Sequence, residues 1–374
     1  MSPGKQISVI GGNVAGLSAA LHLARRGFRV TVYEACTWNK PCGGAVSCEF
    51  AEYLKNHIGI VPQGTDLLPR EVRLAFRNNR FVDLKGFFLV TSRLDLQQKL
   101  IQRLKAEPGI DIIFRRVSIS DSHLFTPQTI VATGFSGFSG QALPVQWKRL
   151  SSAATLHFDG EVEIDRHPGR HLMFFDSRIN GYGWVFKGKG GHMNIGVGGL
   201  AGRRQLMNWY ERFLQDVSIY HGYKIRPEKL SPRGWKIPAC CRMRDVRTCF
   251  YKQGVEFIGT GDALGMAHPF TGAGIEPAWQ SGWVLADCAD PETGLIDTRL
   301  YKRVLARSLR FTCRKPIDLA LAKAANSRFL PARDMLGFIA ARIAAPYLIS
   351  KIKKHPWFAP LNRGTTIQSK MQEA

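Results

Sequence analysis

The sequence predicts an α/β fold: a βαβ domain, a lobe of antiparallel sheet inserted into it, and a helical region at the C-terminus. Three observations predict it. Residues 6–34 read as strand, glycine turn, helix and strand. Residues 151–200 break into short alternating runs divided by Gly, Asp and Asn, the marks of antiparallel strands. Residues 255–298 return to the apolar style of the N-terminus, so the middle of the chain reads as an insertion. At 374 residues and 45% hydrophobic content, the chain has enough apolar material for two domains or for one large domain with an inserted lobe.

The elements follow in order. ISVIG at 7–11 is an apolar strand running into the glycine-rich turn GGNVAG at 11–16. The helix after it carries apolar or small residues at 14, 15, 17, 19, 20, 21, 23 and 24, and FRVTVYE at 28–34 returns as a second strand. TSRLDLQQKL at 91–100 opens another helix, and GIDIIFRRV at 109–117 is a strand ending at Val117. In the lobe, ATLHF, VEI, HLMFF, GWVF and MNIGVG are short strands between turn residues. VEFIGTGD at 255–262 rejoins the first domain and is followed by the helix IEPAWQSGWVLADCAD. Past residue 300 the pattern is helical, with breaks at Pro316, Pro331, Pro346 and Pro356. These signals give the first domain residues 1–80, 93–145 and 251–298, the lobe residues 81–92 and 146–250, and the C-terminal region 299–374.

Lys and Arg number 52 against 29 Asp and Glu, a formal charge of +23, which calls for an anionic partner: nucleic acid, an acidic substrate or a lipid surface. Residues 301–374 hold 15 of those bases and three acids, +12 of the +23, so the excess is concentrated at the C-terminus. There MLGFIAARIAAPYLIS, at 335–350, falls short of the roughly 20 apolar residues that a bilayer crossing needs and is interrupted by Arg342 and Pro346. It either packs on the protein or lies with KIKK in a headgroup layer, a peripheral contact with the inner membrane surface. The first apolar stretch is broken at once by a glycine turn, unlike a secretory signal, and the expected location is the cytoplasm. No recognisable module supports nucleic-acid binding. The eight cysteines show no C-x-x-C pair, so they read as reduced thiols with neither a metal site nor a disulfide framework.

GGNVAG sits in the strand-to-helix turn that a Rossmann-like dinucleotide fingerprint requires. Gly11 makes the turn and Gly16 lets helix approach strand. The middle glycine is replaced by Asn13, a residue that tolerates positive φ, so the turn survives while its side chain crowds the pyrophosphate. The helix N-terminus offers free N–H groups and partial positive charge to phosphate. Glu34, at the end of the second strand, is placed to accept the ribose hydroxyls. In GTGDALGMAHPFTGAGI, at 259–275, Gly272 and Gly274 remove side chains where a flat ring could lie against backbone. The helix beginning near Ile275 directs its dipole at that ring and would stabilise negative charge there.

With these stretches and KPCGGAVS (40–47) and GYGWVFKGKGGHMNIGVGG (181–199), the chain resembles the FAD-binding oxidoreductases of the p-hydroxybenzoate hydroxylase superfamily. Within them it looks most like the geranylgeranyl reductase branch. The matching pieces span residues 7–285. The resemblance implies a Rossmann-like FAD-binding domain of that type, with the lobe as substrate domain. It implies FAD contacts from Gly11, Gly12, Asn13, Ala15, Gly16, Glu34 and Ala35, from Gly43, Gly44 and Ala45, and from Arg93, Val117, Thr133 and Gly134. It adds Asp262 on the ribityl chain, and Pro269, Gly272, Gly274 and Ile275 around the ring.

KPCGG resembles the K-x-C-G-G loop that passes beside the flavin in these reductases, which puts Cys42 near the hydride-transferring nitrogen. A thiol there either donates a proton to a carbanion-like centre or is a small apolar neighbour. The second signature is similar to Y-x-W-x-F-P-K followed by N-x-G-x-G, but Lys187 stands where the family shows proline, which leaves the strand end open. Strand alternation puts Tyr182, Trp184 and Phe186 on one face, as the wall of an apolar pocket or as core between sheet and helices. Cys42, Tyr182 and Trp184 are the candidate catalytic residues. His268 is a candidate proton donor or a structural loop residue.

The expected activity is FAD-dependent reduction of C=C bonds in an isoprenoid or other apolar substrate. The alternatives are an NAD(P)H- and O2-dependent hydroxylase and, from another class, a membrane-associated flavin electron carrier. IVATG at 130–134 carries Thr133 where the hydroxylases place an aspartate, and the halogenase W-x-W-x-I-P is missing. No second glycine-rich βαβ unit offers a seat for NAD(P)H, so electrons are expected from a transiently docked nicotinamide, a reduced flavin or a small acidic redox protein.

Overall fold

A computed structural model describes residues 5–37, 40–61, 71–76, 80–86, 88–161, 169–176, 181–188, 192–223, 225, 232–239, 246–268 and 271–308. Pro269, the segment 335–350 and the basic stretch beyond 308 lie outside the described residues.

In chain order the strands are β1 (Gln6–Ile10), β2 (Arg29–Glu34), β3 (Ala45–Ser47), β4 (Val72–Phe76), β5 (Arg80–Leu84), β6 (Phe88–Val90), β7 (Ile110–Phe114) and β8 (Gln128–Val131). They continue with β9 (Ser151–Glu161), β10 (His171–Asp176), β11 (Gly181–Lys187), β12 (His192–Gly199), β13 (Arg233–Ala239), β14 (Cys249–Lys252) and β15 (Val255–Gly259). The helices are α1 (Val14–Ala24), α2 (Cys48–Tyr53), α3 (Arg93–Lys105), α4 (Gly137–Ala142), α5 (Pro144–Trp147), α6 (Arg203–His221), α7 (Ile275–Asp287) and α8 (Thr298–Ser308).

The first sheet has the order β14-β15-β8-β1-β2-β7. Its β15, β8, β1, β2 and β7 run parallel, and β14 closes the edge antiparallel. The chain leaves β1 toward β2 on one side and returns to β8 on the other, so a crevice opens beyond the carboxyl ends of β1 and β8, where such sheets bind ligands. From Val14 to Leu23, α1 is buried on every side, because it lies between the sheet and α7. A Cβ on Gly282 of α7 would come 2.3 Å from the Ala15 carbonyl oxygen, so the two helices meet backbone to backbone. Ser92 caps α3 by accepting from Asp95 N–H, and Leu96, Leu100, Ile101 and Leu104 turn its apolar stripe inward.

The second sheet has the order β13-β9-β12-β11-β10-β4-β5. Its pairs are antiparallel except β4 with β10, which run parallel. The sheet is therefore not wholly antiparallel, and Val72–Phe76, expected in the first domain, already belongs to the lobe. Of the segment 81–92, β5 is an edge strand of the lobe, whereas β6 pairs with β3 in a small separate ribbon. Cys249 and Phe250, on the lobe side of the expected boundary, pair into the first sheet. The strand expected to run to Val117 ends at Phe114. Among the described residues no helix is long and apolar enough to cross a membrane.

Strand alternation divides the lobe cleanly. Ala75, Leu156, Leu172, Phe174, Val185, Ile195 and Val197 point to α6 and pack on Leu206, Phe213, Leu214 and Val217. At about 1.5–3 kcal/mol for each large side chain removed from water, this interface suffices to hold the helix on the sheet. A Cβ at Gly183 would come 2.6 Å from the Phe213 ring, so glycine there lets the ring touch backbone. The opposite face turns to the first domain and carries the candidate site.

Candidate active site

At the turn after β1, Gly11 has φ +108°, and a Cβ on it would lie 2.6 Å from the Ala132 carbonyl oxygen. A Cβ on Gly16 would lie 1.9 Å from the Gly11 oxygen, so the fingerprint glycines allow helix, turn and strand end to close together. Gly12 N–H donates to Glu34 Oε2 at 2.6 Å, Cys36 N–H donates to Oε1 at 3.3 Å, and Gln97 Nε2 donates to the Gly12 oxygen at 2.9 Å. Burial raises the Glu34 pKa, and the N–H donors of Cys36, Gly12 and Ala35 oppose that rise. The carboxylate is thus fixed at the end of β2 and keeps lone pairs for a further donor.

Asn13 does not use positive φ. Its backbone is extended, with φ −109° and ψ −172°, and it is the N-cap of α1. Its Oδ1 accepts from Val14 N–H at 2.8 Å and from the Nη2 group of Arg93. Arg93 opens α3 and keeps 6% of its surface exposed, and its buried Nη1 meets no acceptor among the described residues. Burial lowers the guanidinium pKa, with Cys42 and Asp262 opposing.

The thiol loop is held from both sides by the lobe. Cys42 N–H donates to His157 Nε2 at 2.9 Å, and the Cys42 oxygen accepts from Asn194 Nδ2 at 2.7 Å. Gly44 N–H points to Cys42 Sγ at 3.5 Å. Gly44 has φ +68°, and a Cβ there would lie 2.3 Å from the Thr91 oxygen, so only glycine brings this loop against the start of α3. Asn194 also accepts the indole N–H of Trp184 at 2.6 Å and donates to Asp159 at 3.1 Å. A Cβ on Gly196 would come 2.4 Å from both His157 Cβ and Trp184 Cζ2, so this glycine makes room for the indole to cross β12. His157 is buried, and desolvation lowers its pKa to about 4, which suits an acceptor of the Cys42 N–H.

The third stretch closes the ring. Lys40 Nζ pairs with Asp262 at 2.7 Å, and Tyr182 donates its hydroxyl proton to the Thr271 oxygen. Burial holds the Tyr182 phenol above its ordinary pKa. Gly272 has φ +69° and packs toward Ile237, while Gly274 is the N-cap of α7. In the first turn of α7, Glu276 accepts from Ser47 N–H, and burial pushes its carboxyl up to about 7 against the opposing Ser47 bonds. His268 Nδ1 accepts from Thr271 N–H at 3.1 Å and so shapes the loop.

The remaining sequence candidates fall around this ring. Ala15 packs against the Gly261 turn and α7. Ala35 is exposed just past β2, Ala45 begins β3, and Val117 is half-buried three positions beyond β7. The Thr133 hydroxyl meets Ser139 at 2.6 Å, and Gly134, at φ +64°, faces Asp262. β11 continues through Lys187, so the loss of the family's proline leaves the strand intact. Tyr182, Trp184 and Phe186 share the face toward the thiol loop, where Trp184 and Phe186 are buried with Val72, Phe88 and Val90. Sequence reasoning passed over His157, Gln97 and Glu276, which have no local signature, and Lys40 and Asn194, which lay inside the quoted K-x-C-G-G and N-x-G-x-G stretches.

Residues 9–59 match the NAD(P)-binding Rossmann-like domain family. Over 362 aligned residues the chain is 25% identical to digeranylgeranylglycerophospholipid reductase 2 of Methanothermobacter thermautotrophicus, covering 83% of this chain and 87% of the relative. It is also 25% identical to geranylgeranyl diphosphate reductase of Rhodobacter capsulatus, covering 75% of this chain and 74% of the relative. A geranylgeranyl bacteriochlorophyll reductase-like structure from Thermoplasma acidophilum matches with a TM-score of 0.60 at 18% identity, over 90% of this chain and 95% of that one. A Klebsiella pneumoniae HpxO variant complexed with FAD matches with a TM-score of 0.56 at 15% identity, over 94% and 95%. The α/β architecture, a Rossmann-like domain carrying a sheet lobe, is the one these structures share.

Proposed function

We propose that this chain is an FAD-dependent oxidoreductase that reduces carbon–carbon double bonds of an isoprenoid or similarly apolar substrate, with the lobe as its substrate domain. The observation that carries the reading is the anchored thiol loop. Cys42 is fixed through both backbone groups, N–H to His157 and C=O to Asn194, within the ring that also holds Arg93, Asp262 and the N-terminus of α7. The reductases to which the chain is similar support the reaction class.

The residues present fit FAD. Arg93 Nη1 is a buried cationic donor in need of an anion, the fixed Glu34 carboxylate suits ribose hydroxyls, and Asp262 with Lys40 suits a polyol. FAD would supply a two-electron carrier that the protein side chains lack. The uncapped N-terminus of α7 favours negative charge at its end. Cys42 lies on the loop that His157 and Asn194 hold against the lobe. Trp184 and Phe186 exclude water, and Tyr182, its proton committed to Thr271, orients the loop rather than acting as an acid. Electrons come from a nicotinamide or an acidic redox partner at the basic surface, and the C-terminal bases favour peripheral contact with an anionic lipid surface.

Purified protein should bind FAD and, once reduced without oxygen, be reoxidised faster by a polyprenyl lipid than by air, with a saturated product. Cys42→Ser should slow only the lipid step. A protein that takes up no FAD would sink the reading, and an oxygenated product with an NAD(P)H requirement would replace it with a hydroxylase.

A further inference from the structure

The glycine fingerprint is broken at its middle position in a way that changes how an anion is held. In the unbroken turn that glycine lets phosphate approach the first amides of the helix. Here Asn13 Oδ1 caps Val14 N–H, so one of those amides is already satisfied from within the protein. The same oxygen accepts Nη2 of Arg93, which brings a guanidinium to the N-terminus of α1. Arg93 retains only 6% of its surface, and its Nη1 has no partner among the described residues. A buried cation with an unused donor is costly to keep, and an arriving anion would relieve that cost.

The geometry points to Asn13 as a positioning residue: by holding Arg93 over the turn, it moves the seat of the dinucleotide pyrophosphate from the helix amides to the guanidinium. This rests on the dinucleotide reading of the site. It inverts the ordinary expectation for the fingerprint, since restoring the missing glycine should harm binding. Asn13→Gly removes both bonds to Oδ1 and frees Arg93 to turn away, while glycine is itself a tolerated N-cap, so the variant folds.

The test measures the affinity of the full chain for FAD, for ADP and for riboflavin, which lacks phosphate, by fluorescence and calorimetry. Asn13→Gly should weaken ADP and FAD by about tenfold or more, flatten the salt dependence, and leave riboflavin unchanged. Arg93→Met should raise the melting temperature of the ligand-free protein, because an unpaired buried charge is gone, and abolish the gain on adding ADP. Equal or tighter ADP binding by Asn13→Gly would overturn the proposal, as would unchanged ADP binding by Arg93→Met. If the parent protein binds ADP but not FAD, the flavin reading fails while the ADP series still decides this one. If it binds neither, both fall.

Discussion

The two faces of the lobe sheet are made by the same strands and do different work. Toward α6, residues such as Leu156, Val185, Ile195 and Val197 meet Phe213 and Val217 in a packed apolar layer. Toward the first domain, their neighbours in sequence, His157, Trp184 and Asn194, join a hydrogen-bonded network that ends on the backbone of Cys42. Apolar contact is tolerant of exchange, whereas a buried polar network requires every partner. One face sets whether the lobe folds, and the other sets where the thiol loop lies.

The largest expected effect separates the faces. Phe213→Ala should cost about 3–5 kcal/mol of stability by the loss of a fully buried ring, while the surviving folded fraction binds FAD as before. Equal damage to cofactor affinity would show that the faces are not independent.

The second effect is in acid. Desolvation depresses both His157, on the site face, and His221, on the α6 face, to about 4. Below an unfolded pKa of about 6.5 the unfolded chain takes up protons that the native imidazoles refuse, so this stability is present above pH 6.5 and is lost as the pH falls toward 4. His157→Gln should remove up to about 3 kcal/mol of that acid loss, read as a shallower fall in melting temperature over the same window. His221→Gln should lessen the acid loss as well. Only the His157 change should speed alkylation of Cys42, followed by peptide mass spectrometry; equal rates in both variants would break the comparison.

The smallest is Trp184→Phe, which leaves Asn194 Oδ1 without its 2.6 Å donor. It should cost about 1–3 kcal/mol and loosen the thiol loop while leaving α6 packing unchanged. Amide exchange that slows or stays fixed at Cys42 would count against the network.

Much of this was legible in the sequence because it is periodic or local. The βαβ unit, the glycine turn, Glu34 at the end of its strand, and the alternation of Tyr182, Trp184 and Phe186 all follow from spacing. What escaped depends on register between distant strands. His157 reaches Cys42 only because β9 and β12 pair His157 with Gly196, and no feature of ATLHF signals that. The parallel union of Val72–Phe76 with β10 escaped for the same reason, since the run VRLAF fits either sheet. Asparagine at position 13 points in the sequence to tolerance of positive φ, whereas in the fold its side chain is the relevant part, and its partner lies 80 residues away.

Asn194 offers one carboxamide to three elements at once: the indole of β11, the carboxylate of β9 and the main chain of the cysteine loop. A side chain shared in this way cannot release one neighbour and keep the others in place. Together with the bonds of His157 and Tyr182 to the loops of the first domain, this amide ties nucleotide half and sheet half, so heating should take both apart in one cooperative step, with no stage at which the lobe swings free as a lid.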